Sequence, residues 1–136
     1  MTPHNSRRKA REMALQALFQ HNFHSDLDPK ESVSYLAEKV GADSETHGFA
    51  HTLVAGVLEH KDEIDQLIQS KAQHWSLERM ALVDLCLLRL AAFELTHLQE
   101  EIPPKVAINE AVEIAKEYSN ADSSAFVNGI LDQIKK

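Results

Sequence analysis

Hydrophobic and polar positions follow a helical period almost from one end of the chain to the other. Ala10, Met13, Ala14, Ala17 and Leu18 recur at i, i+3, i+4, i+7 and i+8, the stripe of a helix with one face against a core. Asp28-Pro29 marks a new start, since proline is tolerated in a first helical turn. Val33, Leu36, Ala37 and Val40 supply the second stripe, which Gly41 stops. Ala50, Leu53, Val54, Val57 and Leu58 form a third, and Ile64, Leu67 and Ile68 a fourth. Ser76-Leu77-Glu78 reads as the next helix start. Over residues 77–98, Leu82, Val83, Leu85, Leu87, Leu88, Leu90 and Phe93 spread around the whole wheel. A helix apolar on every side, yet lacking the roughly 18 uncharged residues of a membrane span, belongs in the middle of a bundle. Ile102-Pro103-Pro104 ends it, because the residue before a proline is driven out of the helical region. Ile108, Ala111, Val112, Ala115 and Tyr118 make the sixth stripe. Asn120-Ala121-Asp122-Ser123 then offers a capping turn before Val127, Ile130, Leu131 and Ile134. No alternating run competes for a strand. The pattern predicts an all-α protein of seven helices, a single domain over residues 1–136 with helical groups at about 1–58 and 59–136.

Composition adds limits. A chain of 136 residues buries roughly two-thirds of the surface its unfolded form exposes, enough for a core without staples. The single cysteine, Cys86, sits among leucines; it excludes an internal disulfide, suits a reducing compartment and reads as an inert buried residue. With no secretory apolar region behind the basic N-terminus, a cytoplasmic protein is expected. Catalytic motifs are missing: no glycine-rich phosphate loop, no cysteine pair at metal spacing, no nucleophile elbow. His47 and His51 share a helix face, but two ligands do not close a zinc site, and Gly48 stands where a metalloprotease motif needs glutamate. His21 and His24 read as polar residues at a helix end. Glu110 and Glu113, one turn apart, read as exposed charges on a helix back face rather than an acid–base pair. No enzyme, cofactor or metal is therefore expected. Asp84, Arg89 and Glu94 lie at different azimuths of the apolar helix, and internal pairing and an interface both remain open for them.

Charge changes the picture. The net charge is -7, yet the first twenty residues hold Arg7, Arg8, Lys9 and Arg11 against Glu12 alone, so that segment carries +3. A basic cluster on an acidic body suggests local docking of a polyanion. On a helix Arg7 and Arg11 are neighbours while Arg8 sits 100° away, making much of the first turn cationic. Cations there oppose the helix macrodipole at a cost of about 0.3 kcal/mol or more each, which suggests that they serve something outside the helix. The competing reading is a basic tail that balances the acidic body. Phe126, about 100° from Val127, is expected to be partly exposed. Stacking on such a ring is worth about 1–3 kcal/mol per base and needs unpaired bases, which favours single-stranded RNA or DNA. If four cations each neutralise one phosphate, log affinity falls with log salt at a slope of about -3.

Several stretches together resemble a known family. Arg7-Arg8-Lys9-Ala10-Arg11-Glu12 followed by Ala14-Leu15-Gln16-Ala17-Leu18-Phe19-Gln20, then Leu88-Arg89-Leu90-Ala91 with Phe93-Glu94-Leu95, are similar to the bacterial NusB antitermination family. Ile102-Pro103-Pro104-Lys105-Val106-Ala107-Ile108-Asn109-Glu110-Ala111-Val112-Glu113 with Ala115-Lys116, and Phe126-Val127-Asn128-Gly129-Ile130-Leu131-Asp132, complete the resemblance, which is weakest over residues 21–60. It implies a two-subdomain, all-helical RNA-binding protein without enzymatic activity. Such proteins pair with small-subunit ribosomal protein S-ten (NusE), bind boxA in the leader RNA of rRNA operons, and join other Nus factors on RNA polymerase. By the same resemblance Arg7, Arg8, Lys9 and Arg11 contact phosphate, Phe126 stacks on a base, and Asp122 caps its helix or meets a base donor. Phe19, where many members have tyrosine, and Asp84 face the ribosomal partner. The resemblance leaves open whether the free protein pairs with a second copy. Two rivals stand beside it: an RNA-independent helical interaction module, and a stand-alone relative of the RNA-binding domain of rRNA cytosine methyltransferases.

Overall fold

The computed structural model describes residues 3–135, with side chains from Ser6 onward. Seven α-helices occur among the described residues, and no strand: α1 Pro3–His21, α2 Pro29–Val40, α3 Ser44–Glu59, α4 Lys61–Lys71, α5 Leu82–His97, α6 Pro104–Tyr118 and α7 Ala121–Ile134. They divide into two compact units, one ending at Glu59 and the other beginning at His60.

In the first unit α1, α2 and α3 pack against one another. Their stripes meet as the pattern demands: Ala10, Met13, Ala14, Ala17 and Leu18 are buried, with Val33, Leu36 and Ala37 from α2 and Ala50, Leu53, Val54 and Val57 from α3. Val40, the last residue of its predicted stripe, is exposed instead. Local chemistry sets the boundaries. Asp28 caps α2 by accepting from the Lys30 N–H at 3.0 Å, and Pro29 takes the first helical position. Gly41 ends it in the left-handed region at φ 68°, its N–H and that of Ala42 turning back to the Glu38 and Ala37 carbonyls. Asp43 starts α3 by accepting from the Thr46 N–H at 2.8 Å, and that bond holds its carboxyl below the usual value.

In the second unit α5 contacts α4, α6 and α7. Its central place explains why it is apolar all round. Leu85, Leu87, Leu88, Leu90 and Phe93 are buried, as is Cys86, whose thiol burial pushes up to about 11. Arg89 is internally paired: it forms a forked ion pair with Asp65 of α4, Nε to Oδ1 at 2.8 Å and Nη2 to Oδ2 at 3.0 Å.

Three expectations are corrected here. Helix α5 begins at Leu82, not at residue 77, because Ser76 makes no capping bond. Residues Leu77–Arg79 form a single 3-10 turn, and Met80 is extended. Glu110 is buried rather than on a solvated back face, since it shares the i, i+3, i+4, i+7 stripe of Ala107, Ala111 and Ile114. That stripe is rotated from the predicted one, so Tyr118 is exposed. Glu113 does face solvent, 3.0 Å from Lys116.

Candidate nucleic-acid interface

The basic run lies within α1, so its charges are fixed on a folded helix and do not trail from a loose tail. Helical spacing brings Arg7 and Arg11 to one side, where Phe49 of α3 receives both. The Arg7 guanidinium carbon is 4.5 Å from the ring centroid and that of Arg11 5.4 Å. These are cation–π distances. The outcome differs sharply between the four cations. Lys9 is exposed, Arg7 and Arg8 are half-buried, and Arg11 is only 4% exposed. Arg11 is thus buried in this arrangement, its side chain packing α1 against Phe49 of α3. Its long side chain, at i, i+4 from Arg7, was indistinguishable from its neighbours until Phe49, far away in sequence, was placed beside it.

Within the second unit, the start of α7 holds Asp122 and Phe126. Asn120 is the cap, its side chain accepting from the Ser123 N–H at 2.8 Å. That removes capping from Asp122, which sits exposed in the first turn, where the helix N-terminus favours a carboxylate. Phe126 is half-buried, so part of its ring remains open. Asp84 belongs to the same neighbourhood through Ser123. It is 6% exposed, its Oδ1 has no hydrogen-bond partner among the described residues, and burial raises its pKa while the Ser123 side chain pulls the other way.

Phe19 is half-buried near the end of α1, in tilted contact with Phe23 at 5.3 Å. Phe23 itself is 65% exposed. The helical pattern passed over it because it follows α1, in the turn between His21, the last residue of that helix, and His24. Beside this end of α1, Gln16, Gln20, Leu27, Glu31, Tyr35 and Lys39 help line a cleft of about 430 Å³. An exposed phenylalanine just beyond α1 and an exposed tyrosine on α2, beside stripes otherwise sunk in the core, are the signal that a surface reading needs.

Among the described residues no helix is long and apolar enough to cross a membrane. His47 contacts the Ser34 hydroxyl at 3.2 Å, so it takes part in an ordinary polar contact.

Comparison with known proteins agrees with the geometry. Residues 8–136 match the NusB family. The transcription antitermination protein NusB of Trichlorobacter lovleyi is 46% identical over 130 residues, covering 95% of this chain and 89% of that protein. That of Symbiobacterium thermophilum is 47% identical over 137 residues, covering 95% and 88%. Among solved structures, T. maritima NusB superposes with a TM-score of 0.88 at 40% identity, over 98% of this chain and 91% of the other. A crystal structure of antitermination factors NusB and NusE in complex with double-stranded RNA reaches 0.85 at 27% identity, covering 96% of each chain. With a family match over nearly its whole length and relatives sharing almost half their residues with it, the chain belongs to the NusB family.

Proposed function

We propose that this protein is an RNA-binding transcription antitermination factor that acts as an adaptor in the cytoplasm. It holds boxA-type leader RNA together with ribosomal protein S-ten (NusE) and joins the other Nus factors on RNA polymerase. The observation that carries the reading is the cationic start of α1, held rigidly on an acidic chain by the Phe49 contacts. Lys9, Arg7 and Arg8 supply sequence-independent attraction to phosphate, and Arg11 positions that turn without touching RNA. The open part of the Phe126 ring stacks on a base, with Asp122 accepting from a base amino group. Negative charge over the rest of the chain repels RNA and confines it to this track. Phe19 and the exposed Phe23 ring form a docking edge for the ribosomal partner. Asp84 is the second partner residue: a donor brought against its Oδ1 supplies the hydrogen bond that atom lacks.

A mobility-shift experiment with labelled boxA-like RNA tests this, with and without ribosomal protein S-ten. Strong, salt-sensitive retardation is expected only when both proteins are present. Since the related NusB–NusE crystal structure contains double-stranded RNA, a duplex arm belongs beside the single-stranded one. Phe126→Ala should weaken single-strand binding by about 1–3 kcal/mol at unchanged helical content. An equal response of both RNA forms to that variant would rule out stacking on an unpaired base. Absence of retardation under every condition would favour an RNA-independent interaction module.

A further inference from the structure

One cluster in the second unit contains none of the residues assigned above to RNA or partner binding. His60 precedes α4, Glu63 lies three residues on in its first turn, and His97 is the last residue of α5. Packing of α4 on α5 brings the three together although His97 is far away in sequence. His97 Nε2 lies 3.2 Å from Glu63 Oε1, and His60 Nδ1 lies 3.8 Å from Glu63 Oε2. All three donor atoms fall within 4.8 Å of one another.

We propose that His60, Glu63 and His97 form a binding site for a divalent transition-metal ion of the zinc class, which ties the start of α4 to the end of α5. Three arguments support it. The first is distance. Metal–ligand bonds of about 2.0–2.2 Å in a tetrahedron place donors about 3.4 Å apart, close to the 3.2 Å between His97 Nε2 and Glu63 Oε1; His60 approaches the other carboxylate oxygen, and one donor from each residue already lies within 4.8 Å of the rest. The second is preorganisation. The His60 and His97 rings stack at 4.0 Å and 23°, and the buried Phe93 ring stacks on both, at 6.1 Å from His60 and 5.3 Å from His97. Packing of the three rings against one another limits the freedom that binding would otherwise cost the two imidazoles. The third is donor type. Two imidazoles and a carboxylate suit zinc, cobalt, nickel or copper, whereas calcium and magnesium take all-oxygen sets.

The site is open on one side: Glu63 is 64% exposed and the two histidine side chains are about 30% exposed. His97 also lines a polar cleft of about 360 Å³ with Glu100 and Glu101. Three protein ligands with an open side leave a position for water or a ligand from another molecule, the arrangement of an accessible site rather than a closed structural one. The end of α5 favours a cation and the start of α4 opposes it, so the Glu63 carboxylate decides the local sign. A bound ion would stabilise the unit by mass action, because the unfolded chain does not hold the three donors together.

Calorimetric titration of tag-free, chelator-treated full-length protein with zinc chloride tests the site, alongside cobalt(II) titration followed by visible absorption. One ion per chain should bind saturably and raise the melting temperature, with no competition from magnesium or calcium. His97→Ala and Glu63→Gln should each weaken zinc by about tenfold or more at unchanged helical content, since each removes one of three ligands. A His47→Ala, His51→Ala double variant should bind as the parent does. Absence of saturable binding would overturn the proposal. So would zinc binding that survives both ligand substitutions, or that disappears in the His47, His51 control.

Discussion

At Asp84 a carboxyl stands in the first turn of α5, where helix polarity favours negative charge, yet burial raises its pKa and Oδ1 finds no donor among the described residues. A carboxyl whose folded pKa lies above the model value of 3.8 binds more protons folded than unfolded. Its stabilising contribution is therefore fully present below that value and is lost as pH rises through the folded pKa. Asp84→Asn removes the titration. The variant should exceed the parent in stability by about 1 kcal/mol near pH 7, and the difference should shrink towards about pH 3. Thermal melts across that range decide it; a constant difference would mean that Asp84 is already compensated. The same substitution should weaken association with ribosomal protein S-ten, because the proposed interaction uses the carboxyl. A residue retained at a cost to the free protein and useful in the complex would show opposite signs in the two measurements. Neighbouring Cys86 poses no such conflict. Its leucine-rich surroundings announced an inert thiol, and burial raises it far above neutral pH. Asp84 gave no comparable notice, since Ser123, the side chain that meets it, comes from α7.

Helix boundaries were readable wherever a short segment carried its own chemistry, as at Asp28-Pro29, Gly41 and Pro103-Pro104. They were misread where the signal needed a partner: Ser76 has the right side chain for a cap but that side chain makes no capping bond, so the chain spends residues 77–81 on a 3-10 turn and an extended step before α5. Glu110 was misplaced for a related reason. Its polarity pointed outward, but its register with Ala107 and Ile114 places it inside. Two glycines separate local geometry from packing. Gly41 adopts φ 68° with open space where a Cβ would stand, so Gly41→Ala meets no clash and reports backbone strain alone. A loss of about 1 kcal/mol is expected, read as a lower urea midpoint with an unchanged slope. Gly48 lies inside α3 at an ordinary helical position, also with open space at its Cβ. Gly48→Ala should therefore raise stability by about 0.5–1 kcal/mol. If both variants shifted the midpoint in the same direction, helix propensity and left-handed strain would not be the operative terms.

Taken over the whole molecule, the net charge of -7 and the basic run from Arg7 to Arg11 pointed to a polyanion before any helix was placed; α1 starts at Pro3, so that run falls after its first turn. The division of labour within that run was not legible, because it depends on Phe49, which reaches Arg7 and Arg11 only after α3 has packed on α1. The His60, Glu63 and His97 cluster was hidden by the same long separation in sequence, while the conspicuous pair His47 and His51 drew attention for its spacing. Arg11 changes the expected ionic response. Four cations that each neutralise a phosphate would produce a slope of log affinity against log salt near -3 on single strands; with Arg11 4% exposed and three phosphate contacts made, the slope moves to about -2. A duplex would steepen it again, to about -3, because counterions are denser there. Titrating retardation against salt with Lys9→Ala and Arg11→Ala separates the roles. Loss of Lys9 should flatten the single-strand slope by about one further phosphate contact, uniformly across RNA sequences, at unchanged stability. Loss of Arg11 should instead lower the melting temperature through its lost packing on Phe49 and leave the slope of the folded protein unchanged. Should Arg11→Ala flatten the slope as Lys9→Ala does, Arg11 must leave Phe49 and reach a phosphate when RNA binds.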